Sequence, residues 1–92
     1  MRRIRFVIVG RVQGVAFRAY TQSAAQQFRL VGFVQNRADG AVEGQAEGEE
    51  RAVAGFVEWL HQGSPWSRVD RVEVEELAVV AAEQAFDVRR GR

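Results

Sequence analysis

Gly10, Gly14 and Arg18 are the residues of this chain whose types and spacing could do chemistry. They sit in the run Val9-Gly10-Arg11-Val12-Gln13-Gly14-Val15-Ala16-Phe17-Arg18, just after an alternating segment with Ile4, Phe6 and Ile8 on one side and Arg3, Arg5 and Val7 on the other. That alternation reads as a strand, and a helical pattern follows. Glycines at a strand-to-helix junction let the backbone turn tightly and aim successive N–H groups at one point, a nest for an anion. The amides of Gly10, Arg11, Val12, Gln13, Gly14 and Val15 are the candidates. Arg18 falls in the first helical turn, where its planar fork can grip two oxygens of a tetrahedral anion. The stretch reads as a phosphate cradle, although a Gly-x-x-x-Gly loop on its own is more often plain turn chemistry.

The rest of the inventory narrows the chemistry. The chain has 92 residues, enough for one small core, so residues 1–92 are expected to form a single domain. With 47% hydrophobic and 27% charged residues, it has the balance of a folded globular protein. All 13 basic residues are arginine, which excludes lysine Schiff-base or lysine-nucleophile chemistry. Cysteine is absent, so thiol nucleophiles, thiolate metal sites and disulfides are excluded. The single histidine, His61, cannot build a multi-histidine metal site, and no metal or cofactor is expected. A net charge of +1 gives no broad basic field for nucleic acid. The N-terminal apolar run is too short and interrupted for a secretory signal or a membrane span. A cytoplasmic monomer without membrane or nucleic-acid partners is the expectation.

The elements that must position the cradle follow in order. Phe17, Tyr20, Ala24 and Phe28 recur at helical spacing and are expected to face the core. Val31 to Asn36 reads as a second strand, and Arg37-Ala38-Asp39-Gly40 as a hairpin turn. The third strand alternates Val42, Gly44 and Ala46 with Glu43, Gln45 and Glu47, a small inward face and an acidic, solvated one. Glu49 to Leu60 carries a second helical stripe, Val53, Phe56, Val57 and Leu60, closed by Gly63 and Pro65. His61 reads as a helix-end residue, and Trp59 and Trp66 as packing against the sheet rim. Val69 to Leu77 gives a fourth strand and Phe86 to Arg89 a short fifth; residues 78–85 between them have no assignable path. Arg90-Gly91-Arg92 reads as a frayed basic tail, and Arg2, Arg3, Arg5, Arg89 and Arg90 as solvated.

The order strand, helix, strand, strand, helix, strand is that of a ferredoxin-like α/β sandwich: an α+β fold, an antiparallel sheet with two helices on one face. There the first and second strands run parallel with the third between them. Two spacings of about 4.8 Å put their carboxyl ends about 10 Å apart. Those ends are Gly10 and Asn36, so Asn36 should face the cradle.

Ile8-x-Gly10-x-Val12-Gln13-Gly14-Val15-x-Phe17-Arg18 resembles the first signature of the acylphosphatase family at every fixed position. Gly32-Phe33-Val34-Gln35-Asn36, then Gly40-x-Val42, then Gly48 is similar to its second. The resemblance spans about Arg3 to Arg89. It implies hydrolysis of an acyl phosphate to a carboxylate and inorganic phosphate, without metal or organic cofactor. By match to the motifs, Arg18 binds the phosphoryl oxygens, the loop amides complete the cradle and Asn36 orients the attacking water.

The inventory suits that reaction. A carboxylate leaving group has a conjugate acid with a pKa near that of glutamate, about 4.3, so it needs no general acid at neutral pH. Phosphoryl transfer then rests on positioning and on stabilising the equatorial oxygens. Read without the resemblance, Arg18 is also compatible with a surface helix arginine, and Asn36 with a residue closing a strand before its turn. Two other functions fit the fold: a non-catalytic anion-binding module and an RNA-recognition domain. The second conflicts with Glu43, Gln45 and Glu47 on the exposed sheet face, where stacking aromatics would be needed. The acyl group itself is not legible.

Overall fold

Strand β1, Arg2–Arg11, is central because its inward residues Ile4, Phe6 and Ile8 are fully buried while it hydrogen-bonds on both edges. The computed structural model describes residues 1–90. After β1 come α1 (Phe17–Gln27), β2 (Val31–Asn36), β3 (Val42–Gly48), α2 (Glu50–Gln62), β4 (Arg68–Leu77) and β5 (Phe86–Arg89). The sheet order is β4-β1-β3-β2-β5. β3 lies between β1 and β2 and is antiparallel to both, so Arg11 and Asn36 finish at the same end of the sheet.

One expectation is refined here. Each neighbouring pair among the four longer strands is antiparallel, but β5 runs parallel to β2, so the sheet is mixed. A parallel neighbour needs a crossover, and residues 78–85 supply it by carrying the chain from the β4 edge to the β5 edge.

The core lies between the sheet and the helices. Phe56 of α2 meets Phe6 edge-on at 5.5 Å and Phe86 at 6.0 Å, joining β1 to β5 through one ring. Burying each such ring stabilises the fold by about 1.5–3 kcal/mol. Gly63, at φ 75°, ends α2, and its N–H donates to Trp59 O. His61 Nδ1 lies 3.0 Å from Val57 O, so the ring serves the last turn of its own helix.

Four side chains depart from the expected pattern. The buried face of α1 is Phe17, Thr21, Ala24 and Ala25, which turns Tyr20 outward at 43% exposure. Small residues at 24 and 25 let the helix approach the sheet closely, and the stripe rotates toward them. Thr21 can occupy the core because its hydroxyl donates to Phe17 O at 2.8 Å. Trp59 packs on Phe17 and Phe56, whereas Trp66 is 79% exposed in the α2–β4 loop.

Arg3 and Glu47 are buried, not solvated. Arg3 Nη1 donates to Glu47 at 3.1 Å and to Glu83 at 2.6 Å, and its Nε donates to Gln45 at 2.8 Å. Glu47 also accepts the amides of Val80 and Ala81 at 2.8 and 3.1 Å. Strand alternation places both residues on the sheet face away from the helices, where solvent would be expected. Residues 78–85 cross over them, and the two ions are the pegs that hold the crossing. Of the expected tail, only Arg90 lies within the described residues.

Candidate active site

Five residues, 12–16, carry the chain from the end of β1 into α1. The two glycines of the motif, Gly10 and Gly14, do different things. Gly10 lies in β1 at an irregularity in the pairing with β4, and a Cβ there would stand 2.1 Å from the Arg68 carbonyl oxygen. Close approach of β4 therefore dictates that glycine. Gly14 has open space around it, but its φ of 74° is one that side-chain-bearing residues rarely adopt. Ala16, at φ 58° and ψ 23°, is the N-cap of α1 and adopts the left-handed conformation without a glycine.

This path leaves donors open. No side chain caps α1, and among the described residues the amides of Gln13, Gly14, Val15 and Ala16 find no acceptor. An uncapped helix start next to a turn of free amides carries partial positive charge and is built to receive an anion.

Two side chains fix the loop and its arginine. Gln13 Nε2 donates to Arg37 O at 2.7 Å and Ala41 O at 2.9 Å, tying the loop to the β2–β3 turn. That side chain is committed, so only the Gln13 main chain remains for a ligand. Arg18 Nη1 donates to Arg89 O on β5 at 2.9 Å, which braces the guanidinium while leaving its other N–H groups available.

Asn36 ends β2, and its Oδ1 is buried with no hydrogen-bond partner. Such an acceptor costs about 1–3 kcal/mol until something donates to it. Its surroundings supply a reason. Asn36, Val12, Gly14, Ala16, Phe17, Arg18, Ala19 and Val88 line one hollow of about 220 Å³. A tetrahedral anion seated there would meet the free amides and Arg18, and a water beside it could donate to Asn36.

A larger hollow of about 610 Å³ shares Asn36 with the first, with Gln35, Arg37, Ala38, Asp39, Glu43 and Arg90 as its other walls. It is the weaker phosphate site despite its size. Of its two arginines, Arg37 is already paired with Asp39 at 2.8 Å, and two carboxylates would repel a dianion.

The sequence-predicted residues are thus distributed unevenly. Arg18, Asn36, Val12 and Gly14 share the hollow, with Gln13 and Val15 in the loop between. Gly10 and Arg11 pair with Val69 and Arg68 inside the sheet and do not line it.

The acylphosphatase family model matches residues 4–88. The chain belongs to the acylphosphatase family. An acylphosphatase from Syntrophobacter fumaroxidans is 48% identical over 91 residues, covering 99% of this chain and 94% of that protein. The crystal structure of the Bacillus subtilis acylphosphatase superposes with a TM-score of 0.93 at 42% identity, covering 97% of this chain and 99% of the other. The Coxiella burnetii acylphosphatase structure gives a TM-score of 0.91 at 36% identity, over 96% of this chain and 92% of its own.

Sequence reasoning missed three parts of the candidate site. Val88 and the Arg89 carbonyl come from a strand whose partner could not be read, and a main-chain acceptor leaves no trace in a side-chain pattern. Ala19 carries no polar group that would mark it in the sequence. The cross-tie through Gln13 was hidden by the expectation that the whole loop serves the ligand.

Proposed function

We propose that residues 1–92 act as one acylphosphatase-like domain that hydrolyses acyl phosphates to a carboxylate and inorganic phosphate, with the roles of Arg18 and Asn36 set by the hollow they share. The observation that carries this reading is Asn36, whose buried Oδ1 has no partner, in the wall of a hollow that Arg18 and an uncapped helix start also line.

The phosphoryl group sits on the amides of the 12–16 loop with Arg18 across its equatorial oxygens. These donors are fixed before substrate arrives, so they cost no reorganisation as charge spreads in the transition state. Asn36 cannot take a proton at neutral pH, but its Oδ1 accepts from a water and points it at phosphorus. As the water oxygen bonds to phosphorus, the bond from phosphorus to the acyl oxygen breaks. The carboxylate leaves with that electron pair. The water's proton passes to a phosphoryl oxygen, giving dihydrogen phosphate and a carboxylate with no protein base. A pH–rate profile tracking the substrate's own ionisation is expected; one tracking a protein group near neutrality would count against it.

The substrate is a small molecule, and the protein works as a cytoplasmic monomer. The near-neutral net charge and the acidic outer residues of β3 and β4 support a small-molecule substrate over a nucleic acid. No helix among the described residues is long and apolar enough to cross a membrane.

The test is turnover of benzoyl phosphate with a chelator present, together with inhibition by inorganic phosphate. Arg18→Ala should lose both. Asn36→Ala should keep phosphate inhibition while turnover falls about a hundredfold, the cost of a misplaced nucleophile. Full turnover in either variant, or activity abolished by the chelator, refutes the assignment.

A further inference from the structure

From the hollow and its neighbours we infer that the acyl part of the substrate lies on the exposed face of α1, against Tyr20, and that Tyr20 sets a preference for flat, apolar acyl groups. The inference rests on the acyl phosphate reading above and deepens it.

In-line displacement fixes the direction. Attacking and leaving oxygens occupy opposite sides of phosphorus. With the water held by Asn36, the acyl oxygen must leave through the wall of the cradle turned away from Asn36. Two further hollows each share a wall residue with the cradle. The large polar one shares Asn36 and is therefore on the water's side. The other shares Ala19 and is otherwise lined by Tyr20 and Ser23, with a volume of about 250 Å³. The leaving group is directed into that second hollow.

Its chemistry suits an apolar occupant. Ala19 offers a methyl group, small enough to leave the exit open beside Arg18. Tyr20 is 43% exposed, beside the buried stripe of its own helix, so part of its ring is open to a ligand. No ionised side chain lines this hollow, in contrast to the four on the Asn36 side. An aromatic acyl group leaving the cradle could lay its ring on that of Tyr20, whereas an acetyl group ends before reaching it.

The experiment compares kcat/KM for benzoyl phosphate and acetyl phosphate in the wild type, Tyr20→Ala, Tyr20→Phe and Trp66→Ala. The preference for benzoyl over acetyl should fall about three- to tenfold in Tyr20→Ala, the scale of one aromatic pair. The change should sit mainly in KM, because the ring contact is the same in ground and transition states. Tyr20→Phe should restore the preference. An unchanged ratio in Tyr20→Ala, or the same fall in Trp66→Ala, overturns this inference while leaving the hydrolytic reading intact. A wild type that turns over neither substrate overturns both.

Discussion

Two arginines from the same quarter of the chain meet opposite fates. Arg3 sits in a closed cluster: it donates to Gln45, Glu47 and Glu83, and the Glu47 oxygens also take the amides of Val80 and Ala81. Arg18 sits in an open one, with a single bond to Arg89 O, a partnerless Asn36 oxygen and several free amides around it. Both clusters use the same groups, guanidinium, amide and carbonyl-type oxygen. A cluster that satisfies itself holds the chain in place, whereas one left short of acceptors or donors marks where a ligand completes it.

The sharpest way to break this contrast is to remove each guanidinium. Arg3→Ala leaves the Glu47 charge buried without its counter-ion and should destabilise the fold by about 3–5 kcal/mol in urea unfolding. Arg18→Ala should change stability by no more than about 1 kcal/mol, one exposed hydrogen bond. Its cost appears in kcat instead, about a thousandfold for a lost charge-stabilising donor. If Arg3→Ala unfolds like the wild type, the closed cluster is not structural and the comparison fails.

Gln13→Ala tests the border between the two kinds of site. It removes two bonds to the carbonyls of Arg37 and Ala41 without touching a phosphate-facing group. Stability should drop by about 1–2 kcal/mol. Activity should fall about tenfold through a looser cradle. Loss as complete as in Arg18→Ala would mean that the side chain touches substrate.

The smallest effect is on the acid side. The Val80 amide, with Arg3 and the Ala81 amide, holds the Glu47 carboxyl below its ordinary 4.5. A depressed folded-state value contributes stability that is present above pH 4.5 and lost as pH falls through the folded value. The Arg3 guanidinium is shifted upward, chiefly by Glu83, and stays charged throughout this range. The stability difference between the wild type and Glu47→Gln, read by urea unfolding, should therefore narrow below pH 4.5. A difference that stays constant down to pH 3 contradicts the clasp.

Much of this was readable in residues alone. Periodicity located every element, and the strand–helix order placed Gly10 and Asn36 at one end of the sheet. Two kinds of information were not there. Whether a charged residue on an alternating strand is wet depends on what later crosses it, and residues 78–85 have no pattern that announces the crossing over Arg3 and Glu47. The phase of α1 is decided by which small residues let it settle on the sheet, so Ala24 and Ala25 turned Tyr20 outward against the simpler hydrophobic reading. In the candidate site, the meeting of Arg18 and Asn36 at one hollow was legible from spacing and strand order. The main-chain brace at Arg89 was not.

That brace spans 71 residues of sequence. A guanidinium anchored within its own helix would stay poised even in a partly melted molecule. Here it is steadied only while the last strand remains docked, so fraying of β5, or a protease cut within 78–85, would loosen the proposed phosphate-binding arginine before the helices lose their shape.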